Sequence, residues 1–200
     1  MSDALTPAGA AARPDALRQQ LRAGTARAHQ ELEGALDLLS RVSDRQAFAR
    51  VLERFLGFHM VWERTISRHP ALRTFHEPRS RLPHLRRDLA ALGRTNLEQA
   101  SLPVCGEAAQ LAASPAAAVG SIYVLEGSTL GGQVIARALG GADWAPPGGL
   151  AYFNPYQART GEMWRAFGSW AEARVAAGER DAAVAGANRT FAVLQEWLTS

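Results

Sequence analysis

Residues 121–141 read SIYVLEGSTLGGQVIARALGG, with Gly127, Gly131 and Gly132 in the middle of what is otherwise a buried-helix pattern. A glycine inside a helix costs about 1 kcal/mol relative to alanine. Three of them within six residues call for a compensating gain. A backbone without Cβ atoms can lie close against a flat partner, and it can kink to free carbonyls and amides for a ligand. Close packing of small residues against a second helix is the alternative reason.

Working outward from this stretch, Ser114-Pro115 opens its helix, because serine caps a first turn and proline fits the first helical position. Upstream, Leu17, Leu21, Ala28, Leu32, Ala35 and Leu39 recur at steps of three and four or their sums, predicting a first helix with one apolar face and Pro14 in its first turn. Ser43 and Gln46 fit a capping box for a second helix carrying Phe48, Val51, Leu52, Phe55, Trp62 and Ile66, limited by Pro70. A third is expected from Pro83 to Leu92 with Gly93 as its stop. APPGG at 145–149 reads as a loop, and two last helices are expected near 158–176 and 179–198, parted at Gly178. No period-two alternation persists, so the fold is expected to be all-α. Residues 14–200 would form a single-domain helical bundle of about six to eight helices, behind a loose tail at 1–13.

The chain has 200 residues, 47% of them hydrophobic, enough for one sizeable core. All 22 basic residues are arginine; with 19 acidic residues the net charge is +3. The arginines are dispersed and balanced by acids, which speaks against a nucleic-acid-binding module. The single cysteine, Cys105, excludes an intrachain disulfide and a thiolate metal cluster. No apolar run reaches the roughly 18 residues of a membrane span, and the N-terminus lacks the order of a secretory signal. The expected location is the cytoplasm.

In the first helix, LRAGTARAHQELE at 21–33 places His29 and Glu33 four residues apart on one face. A histidine that binds iron needs its second ring nitrogen held by an acceptor, which fixes the tautomer and raises ligand basicity. Glu33 has the spacing to do this, although many surface histidines also lie near a glutamate. His59, His69, His76 and His84 carry no comparable carboxylate pattern and are expected to be structural or surface residues.

The pattern LR-x-x-T-x-x-x-H-x-x-x-E, followed about a hundred residues later by G-x-x-x-GGQ, resembles the haem oxygenases. YVLEGSTLGGQVI is particularly similar to the bacterial branch, including enzymes paired with bacteriophytochromes. The similarity spans about residues 16–198. It implies that His29 is the proximal haem-iron ligand with Glu33 behind it. It also implies that the helix of Gly127, Gly131 and Gly132 covers the opposite haem face, steering oxidation to a meso carbon of the macrocycle. Haem would be both cofactor and substrate and O2 the co-substrate, giving biliverdin, carbon monoxide and ferrous iron. A haem-binding carrier or sensor without turnover is the alternative.

Mammalian members carry an aspartate directly after the first glycine; here it is Ser128, which can hold water but offers no charge. By the same resemblance Arg22, seven residues before His29, and Arg165 would meet the haem propionates. Arg137 would line a reductase-docking face, Phe191 would pack on haem, and Tyr123 would contact water or a propionate. Trp164, Trp170 and Trp197 are expected in the core. Nothing resembles a flavin or nicotinamide fingerprint, so a ferredoxin or flavoprotein must supply electrons, and a bacteriophytochrome is a candidate biliverdin acceptor. The chain's ending at EWLTS predicts no membrane anchor of the mammalian kind.

Overall fold

The computed structural model describes residues 15–42, 44–145 and 150–200, leaving out of account the expected tail, Pro14, Ser43 and most of the 145–149 loop. Among the described residues there are nine α-helices and no strand: α1 (Ala16–Leu36), α2 (Leu38–Arg41), α3 (Arg45–Ser67), α4 (Pro70–His76), α5 (Leu82–Ala91), α6 (Asn96–Ala100), α7 (Pro115–Leu139), α8 (Thr160–Glu172) and α9 (Arg180–Thr199). Six of them have ten or more residues and correspond to the expected set.

Local chemistry explains most boundaries. Ser114 accepts the amide of Ala117 at 3.2 Å to open α7. Gly93, at φ +88°, ends α5 in the left-handed conformation that glycine adopts without strain. α3 is capped by Asp44, whose carboxylate accepts the amide of Ala47 at 2.7 Å; the expected Ser43–Gln46 box involves Ser43, which lies outside the described residues. One expectation needs correction. The first helix stops at Asp37, at φ 33°, so Leu39 belongs to the short α2 and is half exposed. The short α4 and α6 were not expected; α6 opens with a true capping box between Thr95 and Glu98.

α9 is the post on which α1 and α7 rest. A methyl on Gly120 of α7 would overlap the carbonyl oxygen of Ala183 and lie 2.9 Å from the Ala187 nitrogen. A methyl on Gly186 of α9 would overlap the Ala117 carbonyl. Those pairings (120 with 183, 117 with 186) make α7 and α9 antiparallel with touching backbones. α1 lies against α9 in parallel: Gln20 donates to Asp181 at 2.9 Å, Gly24 abuts Val184, and Asn188 donates to the Gly24 carbonyl at 3.0 Å. The apolar core around these helices includes Leu21, Phe58, Trp62, Ile122 and Phe167; a second cluster joins Phe48, Leu52, Phe55, Leu85 and Leu89 to Phe153.

On its other side α7 is fastened by a buried polar cluster. Glu63 of α3 accepts from Ser80 Oγ at 2.5 Å and from the Arg81 amide at 2.8 Å. It is flanked by His59 Nδ1 at 3.1 Å and His76 Nε2 at 3.4 Å. Glu126 of α7 accepts from Arg81 at 3.1 Å and from the Tyr156 hydroxyl at 2.7 Å, with Arg79 at 3.4 Å. His59 and His76 are thus structural, as expected, but His59 does have a carboxylate partner at the helical i+4 position. Burial pushes His59 below its ordinary value of 6.5, against the pull of Glu63. Burial also works against the Glu63 charge, yet hydrogen bonds from His59 and His76 outweigh it and hold that carboxyl well below its usual range. No helix among the described residues is long and apolar enough to cross a membrane.

Two outcomes are expected. Gly120→Val should lower stability by about 1–3 kcal/mol, the usual penalty for overpacking, read as a fall in the urea midpoint. Both shifted groups make the folded state resist protons that the unfolded chain accepts. Stability should therefore fall as pH drops below about 6.5, where unfolded histidine titrates, and again below about 4.5, where unfolded glutamate does. Urea midpoints measured from pH 7.5 to 4 test this. His59→Gln should flatten the upper part of the decline, and an unchanged slope in that variant would exclude His59 as its source.

Candidate functional site

Arg22, Thr25, His29 and Glu33 follow one another at three- and four-residue steps along α1, so they share a stripe. His29 is half exposed, with its Nδ1 3.4 Å from the Glu33 carboxylate. Glu33 is placed to orient an Nδ1–H, which would leave Nε2 for another partner. Phe191 of α9 meets the imidazole edge-on, with ring centroids 5.7 Å apart. His29, Glu33 and Phe191, three residues expected at one site, are therefore brought together.

α1 and α7 meet at Thr25 and Tyr123, one turn before His29 and Gly127 respectively. Burial raises the Tyr123 phenol above its ordinary value, so it stays protonated; the Thr25 hydroxyl and the charges of Arg22 and Arg18 temper that rise. Arg22, exposed on α1, is thus close to Tyr123 of α7. Arg18, one turn earlier on α1, is close to Tyr123 as well. Its guanidinium pairs with Asp15 at 2.8 Å and lies 6.0 Å from the Trp164 ring. Arg165 is exposed on α8, one turn from Glu162, and Tyr123 feels Arg22 and Arg18 rather than Arg165. Arg137 is exposed in the last turn of α7.

The three glycines have three different settings. α7 runs as one α-helix through all of them, without the interruption the sequence suggested. A methyl on Gly132 would overlap the Phe153 carbonyl, so this glycine serves packing. Its neighbour Gln133 fastens the same loop by donating to the Gln157 carbonyl at 3.1 Å and to Thr160 at 3.0 Å. Gly127 faces the indole of Trp164 at ordinary contact distance, and Gly131 faces open space. Leu130 and Val134, 42% and 60% exposed, lie beside Gly131 on that face. Ser128 donates its hydroxyl proton to the Leu125 carbonyl at 2.8 Å, so only its lone pairs remain for water.

This donor set suits haem. Among the described residues no group of three histidines, cysteines or acids is placed to hold a bare metal ion. Iron that already carries four porphyrin nitrogens needs only one imidazole, and His29 presents one with a carboxylate beside its second nitrogen. An open glycine face with exposed apolar neighbours suits a flat macrocycle, and two arginines near Tyr123 would suit its carboxylates.

Glu126 is the site-adjacent residue that sequence reasoning passed over. Its carboxylate is buried directly before Gly127 and holds Arg79, Arg81 and Tyr156. An acidic residue inside a strongly apolar helix was the available signal, since such a charge must find partners.

Known proteins resemble this chain in sequence and in fold. A heme oxygenase from Xanthomonas campestris pv. campestris (strain 8004) is 39% identical over 115 residues, a match covering 57% of this chain and 64% of that protein. The chain therefore spans a little under two thirds of that curated relative. Among solved structures, the heme oxygenase of Leptospira interrogans superposes with a TM-score of 0.72 at 19% identity, over 92% of this chain and 98% of that one. Heme oxygenase-1 from the cyanobacterium Synechocystis sp. PCC6803, in complex with heme, gives 0.71 at 20%, over 91% and 90%. These two establish the fold. The family model described as "Heme oxygenase" matches residues 15–200, which is nearly the whole length, and the chain belongs to the haem oxygenase family.

Proposed function

We propose that the protein cleaves haem with O2 and reducing equivalents, releasing biliverdin, carbon monoxide and ferrous iron, with haem as both cofactor and substrate. The observation that carries this reading is the half-exposed His29 imidazole, Nδ1 beside the Glu33 carboxylate and ring edge held by Phe191. His29 would be the axial ligand, and Arg22 with Arg18 would hold the propionates near Tyr123. When bound, haem supplies the iron that activates dioxygen and the macrocycle that is oxidised.

The remaining work belongs to the chain. Gly131 offers a wall without side chains, leaving room for reactants close above the macrocycle, while Leu130 and Val134 keep bulk water from that face. Ser128 accepts a hydrogen bond from water but cannot donate its own proton without giving up Leu125. It therefore orients a water molecule and does not act as an acid. Protonated Tyr123 can donate to a propionate or to water. Electrons come from a reductant, which we take to be a ferredoxin or flavoprotein acting in the cytoplasm. A bacteriophytochrome is one destination for the bilin.

Aerobic turnover with product chromatography tests the reading. Haem-loaded protein given a reductant should lose its Soret band and yield biliverdin. A persistent Soret band without bilin would favour the carrier. His29→Ala should abolish native axial coordination and turnover while leaving the helical circular dichroism intact. Glu33→Gln should cost about 10-fold in haem affinity or rate, the lower end of what an outer partner of a ligand contributes. Gly131→Leu should weaken hemin binding measured by Soret titration; full affinity and an unchanged product pattern would mean that no ligand lies against this glycine.

A further inference from the structure

The open face of α7 has a closed end. Gly127, Leu130, Gly131 and Val134 share that face by their spacing. Trp164 of α8 stands over Gly127, so that a methyl there would lie 3.6 Å from Cη2 and 3.7 Å from Cζ3 of the indole. One turn further, a methyl on Gly131 would have nothing within 4 Å. The same helix face is therefore covered at one end and bare at the other.

The indole is fixed from three sides. It stacks on Phe167 with centroids 5.4 Å apart and planes 19° from parallel, and Phe167 is fully buried. Tyr123 leans on it at 5.6 Å. Arg18, anchored by Asp15, covers it at 6.0 Å. Gly168, four residues on, leaves room for that guanidinium: a methyl there would sit 3.3 Å from Arg18 Nη1. A ring stacked on a buried aromatic and capped by a paired cation is a rigid element.

We infer that Trp164 is a positioning residue, a fixed stop at the Gly127 end of the α7 face that sets how far a porphyrin can slide and turn, and so which meso edge lies at Gly131. This rests on the haem-cleavage reading above. A flat ligand lying over Gly131, flanked by Leu130 and Val134, meets the indole when its edge reaches the Gly127 end. One rigid obstacle at one end selects one seating of a nearly square molecule. Removal of the ring leaves the Gly127 end as bare as the Gly131 end, and a second seating becomes accessible.

The test compares wild type, Trp164→Ala and Trp164→Phe, each loaded with hemin. Haem-methyl proton NMR shifts of the ferric cyanide complexes report rotation of the porphyrin about its axial bond, independently of turnover. Trp164→Ala should show a second set of methyl resonances and change the ratio of biliverdin isomers by at least about threefold; Trp164→Phe, which keeps a shorter ring, should fall between. Hemin-loaded Trp164→Ala with wild-type methyl shifts and a wild-type isomer ratio would overturn the proposal while leaving haem cleavage standing. Should the Ala variant fail to fold, the Phe variant decides: wild-type shifts and ratio there would overturn it. Wild type that takes up no hemin would overturn both readings.

Discussion

The site depends on how closely backbones approach along α9. Gly120 and Gly186 let α7 and α9 touch at carbonyl and amide, and Gly24 lets α1 settle on Val184. Because α1 runs with α9 and α7 runs against it, one helix fixes the placement of both site-bearing helices. Side chains at these crossings would spread the helices and move His29 relative to the glycine face of α7. The shared post also contributes Phe191 to the imidazole. Packing and chemistry thus use the same few residues, and in a close-packed interior a shift of one helix is transmitted to the others.

The opposite flank of α7 is held by charge. Glu126 is paired with Arg79 and Arg81 and accepts from Tyr156; Glu63 is bound by Ser80 and the Arg81 amide between two histidines. Buried ion pairs of this kind contribute little net stability, because desolvation offsets most of the attraction. Their directional bonds instead fix which segments meet: α3, the 79–81 segment, α7 and the loop around Tyr156. α9 on one side and this cluster on the other leave α7 with a single free face, carrying Gly131, Leu130 and Val134. A helix held on both flanks can present a bare face without collapsing onto it.

Much of this was legible in local signals. Ser114-Pro115 and Gly93 mark their helix ends because capping and left-handed turns depend on neighbouring residues alone. His29 and Glu33, and the glycine run, could be picked out as a pair of features. What sequence could not separate was burial. The spacing H-x-x-x-E occurs twice, at His29–Glu33 on the surface and at His59–Glu63 in the interior, and only tertiary packing tells the two apart. In sequence the glycines look like one device, yet Gly132 answers to the Phe153 carbonyl, Gly127 to Trp164 and Gly131 to open space. Arg18 and Trp164 stand at the site because α8 folds back across α1 and α7, a contact between residues about 145 apart in the chain that no local pattern encodes. Trp164 does pack on the core, as its aromatic character suggested, and also borders the site.

The most direct test is resonance Raman spectroscopy of the ferrous haem complex, reading the iron–imidazole stretch. The account predicts this band in wild type, its loss in His29→Ala, and its retention in His59→Gln. A band that survives in His29→Ala and vanishes in His59→Gln would place the iron at the buried histidine–glutamate pair and contradict the account at its centre.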